Sequence, residues 1–169
     1  MESRVKLFGH PIHPMLVVFP LGLFATAAIF DVLYFITRYV ALTTASYYMI
    51  AAGLIGGFLA AIFGAIDWLG LAYNSRAWNL GLLHGLGNGM VLGLFLLSWL
   101  RRRTPPDVLP DTTALLLSLA GVGLALVTAW IGGELVYRLR VGVDPGANVN
   151  APSSLTEPSP ARSKVSRLE

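Results

Sequence analysis

The sequence predicts an all-α integral membrane protein, in which four antiparallel helices form a bundle and a disordered C-terminal tail follows. Four apolar stretches are each longer than the roughly 20 residues that a helix needs to cross a bilayer. Apolar residues make up 55% of the chain and charged residues only 12%, about half the charged fraction of a soluble domain. Strand-like alternation of apolar and polar residues is absent from these stretches, which excludes a membrane β-barrel.

The predicted spans are connected by short polar segments. Pro14 suits the first turn of the first span, and Pro20 is expected to kink that helix or to free a backbone carbonyl. The Pro- and Ser-rich segment 144–169 contains few apolar residues, so we predict that it is disordered. Within a single membrane domain of residues 1–143, the spans are about 14–37, 47–72, 77–100 and 113–138.

An even number of spans puts both termini on one side of the membrane, here called the terminal face. Eight of the 12 Lys and Arg residues are predicted on this face or in the tail, and four on the opposite face. The positive-inside rule therefore favours cytoplasmic termini. The segment Ala25-Thr26-Ala27 is similar to a signal-peptide cleavage site, but the apolar run continues well beyond it, so we expect the first span to be retained.

Composition excludes several classes of site and partner. The chain has no cysteine, which rules out disulfides and Cys-ligated zinc or iron–sulfur centres. Its net charge is +3, but the basic residues are at span ends and in the tail, not on the aromatic-rich face that nucleic-acid binding requires. Basic residues that flank apolar spans indicate a lipid bilayer as the partner.

Small residues recur at a spacing of four in three of the spans. This spacing puts them on one stripe of each helix, where they allow helix backbones to approach closely. The stripes predict tight packing within the bundle, or contact of one stripe with a second copy or with another membrane subunit. They are Gly53, Gly57, Ala61 and Ala65; Gly81, Gly85, Gly89 and Gly93; and Gly121, Ala125, Ala129 and Gly133.

Five ionisable side chains are predicted to meet at the terminal-side end of the bundle, because antiparallel threading brings the ends of their helices to one level. Asn88, one turn from His84 on the same stripe, extends this polar zone inward. Imidazoles and carboxylates at one depth suit a divalent metal ion, whereas His13 and His84 alone, on different helices, suit a haem iron such as that of haem b. The candidate ligands are His10, His13, Asp67, His84 and Glu134.

The two carboxylates of this set also have structural interpretations. Glu134 precedes Arg138 by four residues, the favourable order for an ion pair on one helix. Asp67 is placed to pair with Arg76 or to accept a hydrogen bond from a backbone amide at a helix end.

The histidines and one remaining acid have structural interpretations as well. His10 and His13 are expected at the start of the first span, where they would cap it. In the structural interpretation of His84, its ring makes a hydrogen bond inside the bundle and binds no ligand. Asp31 is predicted near the opposite face, where it would pair with Arg38 or a neighbouring tyrosine, and we leave it out of the cluster.

Several motifs resemble one bacterial family, the domain of unknown function 2231 family of predicted four-helix membrane proteins. The resemblance covers about residues 8–144 and is carried by segments 9–20 (GHPIHPMLVVFP), 64–68 (GAIDW) and 132–137 (GGELVY). It implies a bacterial inner membrane and, because some relatives are joined to Rieske-type domains, redox work. Relatives often have histidines at the positions of Val18 and near Leu139, which this chain lacks. The implied signature positions are His10, His13, Asp31, Asp67, His84, Glu134 and Tyr137.

Three functional hypotheses follow from these patterns. The first is a membrane redox protein that binds haem or a metal ion at the terminal-side cluster, with His13 and His84 as the foremost ligands. The alternative is a non-catalytic membrane subunit or assembly partner that packs through its Gly and Ala stripes. A small transporter ranks last, because mostly apolar residues separate Asp31 from the cluster.

Overall fold

The computed structural model describes residues 1–102 and 108–156. Four helices in these ranges are long and apolar enough to cross a membrane, with 25 to 28 residues each. The predicted all-α membrane fold is therefore confirmed. In chain order the elements are β1 (Lys6–Leu7), β2 (His10–Pro11), α1 (Ile12–Leu16), α2 (Val18–Thr37), α3 (Ala41–Trp68), α4 (Arg76–Leu100) and α5 (Thr112–Gly133), followed by a π-helical turn (Glu134–Arg138).

The first span consists of α1 and α2, which are interrupted at Val17. Pro20 has no backbone N–H to donate to the carbonyl of Leu16, which accounts for an interruption one turn before the proline. The second span begins at Ala41, earlier than the sequence predicts. Its first turns contain Thr43 and Ser46, which are polar but fully buried in the bundle.

The four long helices are arranged in the order α2, α3, α4, α5, and α5 closes the ring by packing on α2. Helices α2 and α4 therefore face each other diagonally. Phe24 of α2 and Phe95 of α4 stack across this diagonal with ring centroids 4.0 Å apart. Gly53 lies against Phe24 and Gly121 against Phe95, because only a residue without a side chain leaves room for each ring.

A buried ion pair closes the end of the bundle opposite the terminal face. Asp31 of α2 and Arg102, which follows α4, form a bidentate pair whose side chains are both 0% exposed. Ser46 and Ser98 accept further hydrogen bonds from the guanidinium. Charge in a membrane protein is costly unless it is paired inside the bundle, and this pair fulfils that condition.

The first residues of the chain lie across the terminal face. The amide of Gly142 donates to the carbonyl of Met1 at 2.8 Å, so the N-terminus and the segment after the last span are joined. A short hairpin, β1 with β2, then leads into α1. Residues 144–156 form turns that return to this hairpin through Ser154. The rest of the predicted disordered tail, 157–169, lies outside the described residues.

Candidate ligand site at the terminal face

Two histidines from different helices meet inside the terminal-side end of the bundle. His13 lies on α1 and His84 on α4, and their ring centroids are 6.4 Å apart with the ring planes nearly perpendicular, at 85°. Both are partly buried. A pair of imidazoles that binds one metal centre at about 2.0–2.1 Å per nitrogen has its ring centroids roughly 5–6.5 Å apart, the upper value applying to ligands on opposite sides of the metal, and the separation seen here lies in this range.

A backbone carbonyl fixes the same nitrogen of each ring. Nδ1 of His13 is 2.7 Å from the carbonyl oxygen of Ala60, and Nδ1 of His84 is 2.9 Å from that of Thr128. Because a carbonyl oxygen only accepts, Nδ1 must carry the proton in both rings. In the neutral imidazole the lone pair is then on Nε2, the tautomer that a metal-binding histidine adopts when its other nitrogen donates to a carbonyl.

Glycines on the neighbouring helices leave space for both imidazoles. A Cβ added to Gly64 of α3 would lie 2.9 Å from the ring of His13, and one added to Gly132 of α5 would lie 3.0 Å from the ring of His84. These two glycines come from the family-like motifs of the sequence, and their role is to seat the histidine rings.

An amide occupies the lone pair of one histidine but not of the other. Nδ2 of Asn88 is 3.0 Å from Nε2 of His84, and Oδ1 of Asn88 accepts a hydrogen bond from the hydroxyl of Thr128 at 3.0 Å. Among the described residues, no group is hydrogen-bonded to Nε2 of His13. Both rings are therefore held through Nδ1, but Nε2 is hydrogen-bonded in His84 and, among the described residues, not in His13.

Asp67 does not join the histidines. It accepts hydrogen bonds from the hydroxyl of Ser3 and from the backbone amide of Arg4, each at 2.8 Å. Neither expected partner binds it: Arg76 pairs with Glu134 instead, and the backbone amide that donates to Asp67 belongs to Arg4, before the first helix, not to a helix end. The spacing of the spans does not predict this contact, because it depends on how the N-terminal segment folds over the terminal face.

Glu134 is bound to arginines. One carboxylate oxygen is 3.0 Å from Arg76 and the other is 3.9 Å from Arg138, so the predicted i,i+4 ion pair is present and a second arginine joins it. His10 lies on β2, outside the first span, where Nε2 is 3.3 Å from the hydroxyl of Ser154 at an exposed position.

The five predicted ligands consequently do not form one metal site. In residues 1–102 and 108–156, no group of three or more His, Cys, Asp and Glu side chains is placed to hold a metal ion. Antiparallel threading brings all five to the same end of the bundle, but Asp67, Glu134 and His10 each contact other groups there. Only His13 and His84 remain together.

Two further expectations concern residues outside this pair. Asp31 does not bind Arg38, because Arg102 reaches it from the far end of α4, and the guanidinium of Arg38 instead lies over the rings of Tyr34 and Phe35. Tyr137, a position implied by the family resemblance, is 85% exposed.

Comparison with known proteins identifies one family. Residues 9–145 match the family described as "Predicted membrane protein (DUF2231)". The chain belongs to this family. The match includes both histidines, the Asp31–Arg102 pair and all four spans of this DUF2231 protein. No curated protein and no solved structure matches the chain.

Proposed function

We propose that this membrane protein binds a haem whose iron His13 and His84 would hold, and that it serves electron transfer in the membrane. The observation that carries the proposal is the pair of imidazoles whose Nδ1–H groups are fixed on backbone carbonyls, which directs both lone pairs to Nε2. A bound haem would supply one-electron chemistry at its iron.

The number of protein ligands favours haem over a bare metal ion. A catalytic zinc site usually has three protein ligands and a structural one has four, whereas only two imidazoles meet here among the described residues. Haem iron needs no more than two from the protein, since the porphyrin fills its other positions. The missing third ligand is thus an argument for a macrocyclic metal centre.

The surrounding residues suit a neutral, weakly hydrated site. A neutral imidazole carries no charge into an apolar helix bundle, so its burial is less costly than that of a carboxylate. Asn88 must release Nε2 of His84 when a metal binds, and its amide is then free to turn towards Thr128 and the carbonyl of His84, which it already contacts at 3.0 Å.

The direct test is purification in mild detergent from iron-replete cells, followed by an optical spectrum, metal analysis and titration of the apoprotein with hemin. We expect a six-coordinate haem spectrum at one haem per chain. His13→Ala and His84→Ala should each abolish it, and His10→Ala, the remaining histidine of the chain, should leave it unchanged. Protein that binds neither native haem nor hemin would refute the proposal.

We further propose that the membrane is the bacterial cytoplasmic membrane and that both termini are cytoplasmic. The support is the excess of basic residues that the sequence predicts on the terminal face or in the tail, eight of 12, by the positive-inside rule. Proteolysis or labelling of a C-terminal tag in sealed spheroplasts is the test, and a tag accessible from outside contradicts this orientation.

A specific observation supports a second candidate function, that of a membrane subunit. Three of the four α4 stripe residues face away from the bundle: Gly85, Gly89 and Gly93 have no neighbour within 4 Å of an added Cβ among the described residues, whereas Gly81 lies against Trp68. Small residues on a lipid-facing stripe favour close contact with another helix. Because the chain has no cysteine, Gly89→Cys alone should give disulfide-linked dimers in membranes if this face binds a second copy, and Gly123→Cys, equally open on α5, is the control.

A further inference from the structure

The first two spans contain a distinctive set of contacts. His13 at the start of the first span is bonded to the carbonyl of Ala60 and packs on Gly64, one turn further along α3. Deeper in the bundle, Phe24 packs on Gly53. One helix supplies the rings, and the other supplies the carbonyl and two glycines.

The last two spans repeat this set. His84 near the start of α4 is bonded to the carbonyl of Thr128 and packs on Gly132, again one turn further along α5. Deeper in the bundle, Phe95 packs on Gly121. As in the first two spans, the first helix supplies the rings, and the second helix supplies the carbonyl and the two glycines.

The numerical offsets are constant. The rings are 71 positions apart (84 less 13, and 95 less 24), and their partners on the second helix are 68 apart (128 less 60, 132 less 64, and 121 less 53). A smaller pair obeys the same rule: the hydroxyl of Ser46 donates to the carbonyl of Ala27, and that of Ser98 to the carbonyl of Ala114. These residues correspond at the same two offsets, with donor and acceptor helices exchanged.

Residues that correspond by this rule also touch each other. His13 meets His84, and Phe24 stacks on Phe95. Asp31 and Arg102, again 71 positions apart (102 less 31), form the buried ion pair. A residue that contacts its own equivalent lies on the two-fold axis of an isologous contact, so all three pairs mark one axis at three depths of the bundle.

We infer that the chain consists of two copies of one helical hairpin, residues 12–68 and 83–136 at the offsets above, related by an approximate two-fold axis that runs along the helices. The ligand of the histidine site lies on this axis and offers two equivalent coordination positions, one to each copy. This statement about the ligand rests on the proposed function, and the opposite axial positions of a haem iron have the required symmetry.

Two of the residues that make these contacts at the site differ between the copies. Asn88 of the second copy corresponds to Val17 of the first, and Thr128 corresponds to Ala60. The hydrogen bonds from Thr128 to Asn88 and from Asn88 to His84 therefore exist in one copy alone. Asn88 is a positioning residue that holds one of two otherwise equivalent ligands.

The first experiment tests the two-fold relation without any ligand. In a His10→Gln background only the two site histidines remain, and ¹⁵N NMR of labelled histidine in the detergent-solubilised full chain reports each Nε2. Asn88→Val with Thr128→Ala gives the second copy the residues of the first. We expect the difference between the two Nε2 shifts to fall by at least half. An undiminished difference in folded protein overturns the equivalence, and Asn88→Val alone serves if the double variant does not fold.

The second experiment tests the two coordination positions with hemin. His13→Gly and His84→Gly should lose the six-coordinate spectrum to the same degree, and added imidazole should restore it in both. Loss in only one variant overturns the two-position ligand. If wild type binds no hemin, the proposed function fails, while the NMR experiment still decides on the two copies.

Discussion

The two ends of the bundle use polar residues in opposite ways. At the terminal face, His13 and His84 are partly buried, and each imidazole is held through Nδ1 by a backbone carbonyl. At the other end, Asp31 and Arg102 are charged, fully buried, and bound to each other. Both pairs lie where the diagonal helices meet. Among the described residues, Nε2 of His13 has no hydrogen-bond partner, whereas the two charges of the ion pair are bound to each other.

This difference teaches how to separate a candidate binding site from a structural contact inside a membrane protein. A buried charge demands a partner, since the loss of hydration is repaid only by an opposite charge with good geometry. A neutral imidazole makes no such demand and remains free to bind a ligand. The sequence already left Asp31 out of the ligand cluster, and in the structure its bond to Arg102 joins α2 to the end of α4.

The largest expected effect is at the charged end. Arg102→Ala leaves Asp31 as an unpaired carboxylate that is 0% exposed, which should cost about 3–5 kcal/mol of stability. Thermal unfolding in detergent measures it. Arg38→Ala removes an arginine that only overlies aromatic rings, and should cost no more than about 1 kcal/mol.

A double variant sharpens this prediction. Asp31→Leu combined with Arg102→Met removes both charges, so it should recover most of the stability that the single variant loses. A double variant no more stable than Arg102→Ala would show that the ion pair does more than neutralise charge.

The next effect lies between the two ends, where aromatic rings separate them. A Cβ at Gly121 would be 2.6 Å from the ring of Phe95, so Gly121→Ala should destabilise the protein by about 1–3 kcal/mol through overpacking. Gly123→Ala, on the same helix but in open space, should be neutral or stabilise by up to about 1 kcal/mol. Equal unfolding temperatures for the two variants would contradict this close packing.

A smaller effect is expected at the terminal face. Ser3→Ala removes the hydroxyl that donates to Asp67, and should lower stability by about 1 kcal/mol. Hydrogen exchange of the N-terminal segment should also accelerate. The matched control is Ser154→Ala, whose hydroxyl bonds are exposed; an equal effect of both substitutions would mean that Ser3 does not hold this segment.

The smallest effect is expected for the exposed ion pair of Arg101 and Asp111, which contrasts with the buried pair of Asp31 and Arg102. The Arg101 guanidinium, and then the Ala114 amide, hold the pKa of Asp111 below its ordinary value of 3.8. A lowered pKa contributes stability that is fully present above 3.8 and lost as the pH falls through the pKa of the folded state. Because the pair is exposed, solvent screens it.

Asp111→Asn tests this pH dependence, since asparagine still caps α5 but carries no charge. Wild type should be slightly more stable than the variant near neutral pH, and the difference should vanish in acid. A difference that persists below the lowered pKa would assign the effect to the cap and not to the charge.

Most of the fold was predictable, and part of the site. Long apolar runs predict helices in lipid because the backbone has no other way to satisfy its hydrogen bonds. Antiparallel threading also predicts the level of His13 and His84. It does not predict that Ser3 and Arg4 bind Asp67, or that Arg76 binds Glu134, because those contacts depend on how loops and the N-terminus fold over the helix ends.

By itself, the sequence determined the number of spans, their apolar character and the end of the bundle at which each ionisable group lies, since these follow from local composition and helix length. Only the tertiary structure decided which groups meet. Arg102 reaches Asp31 because α4 and α2 face each other diagonally, and the imidazoles approach because Gly64 and Gly132 leave room. Depth in a membrane is a property of one helix, whereas contact depends on the rotation of several helices at once.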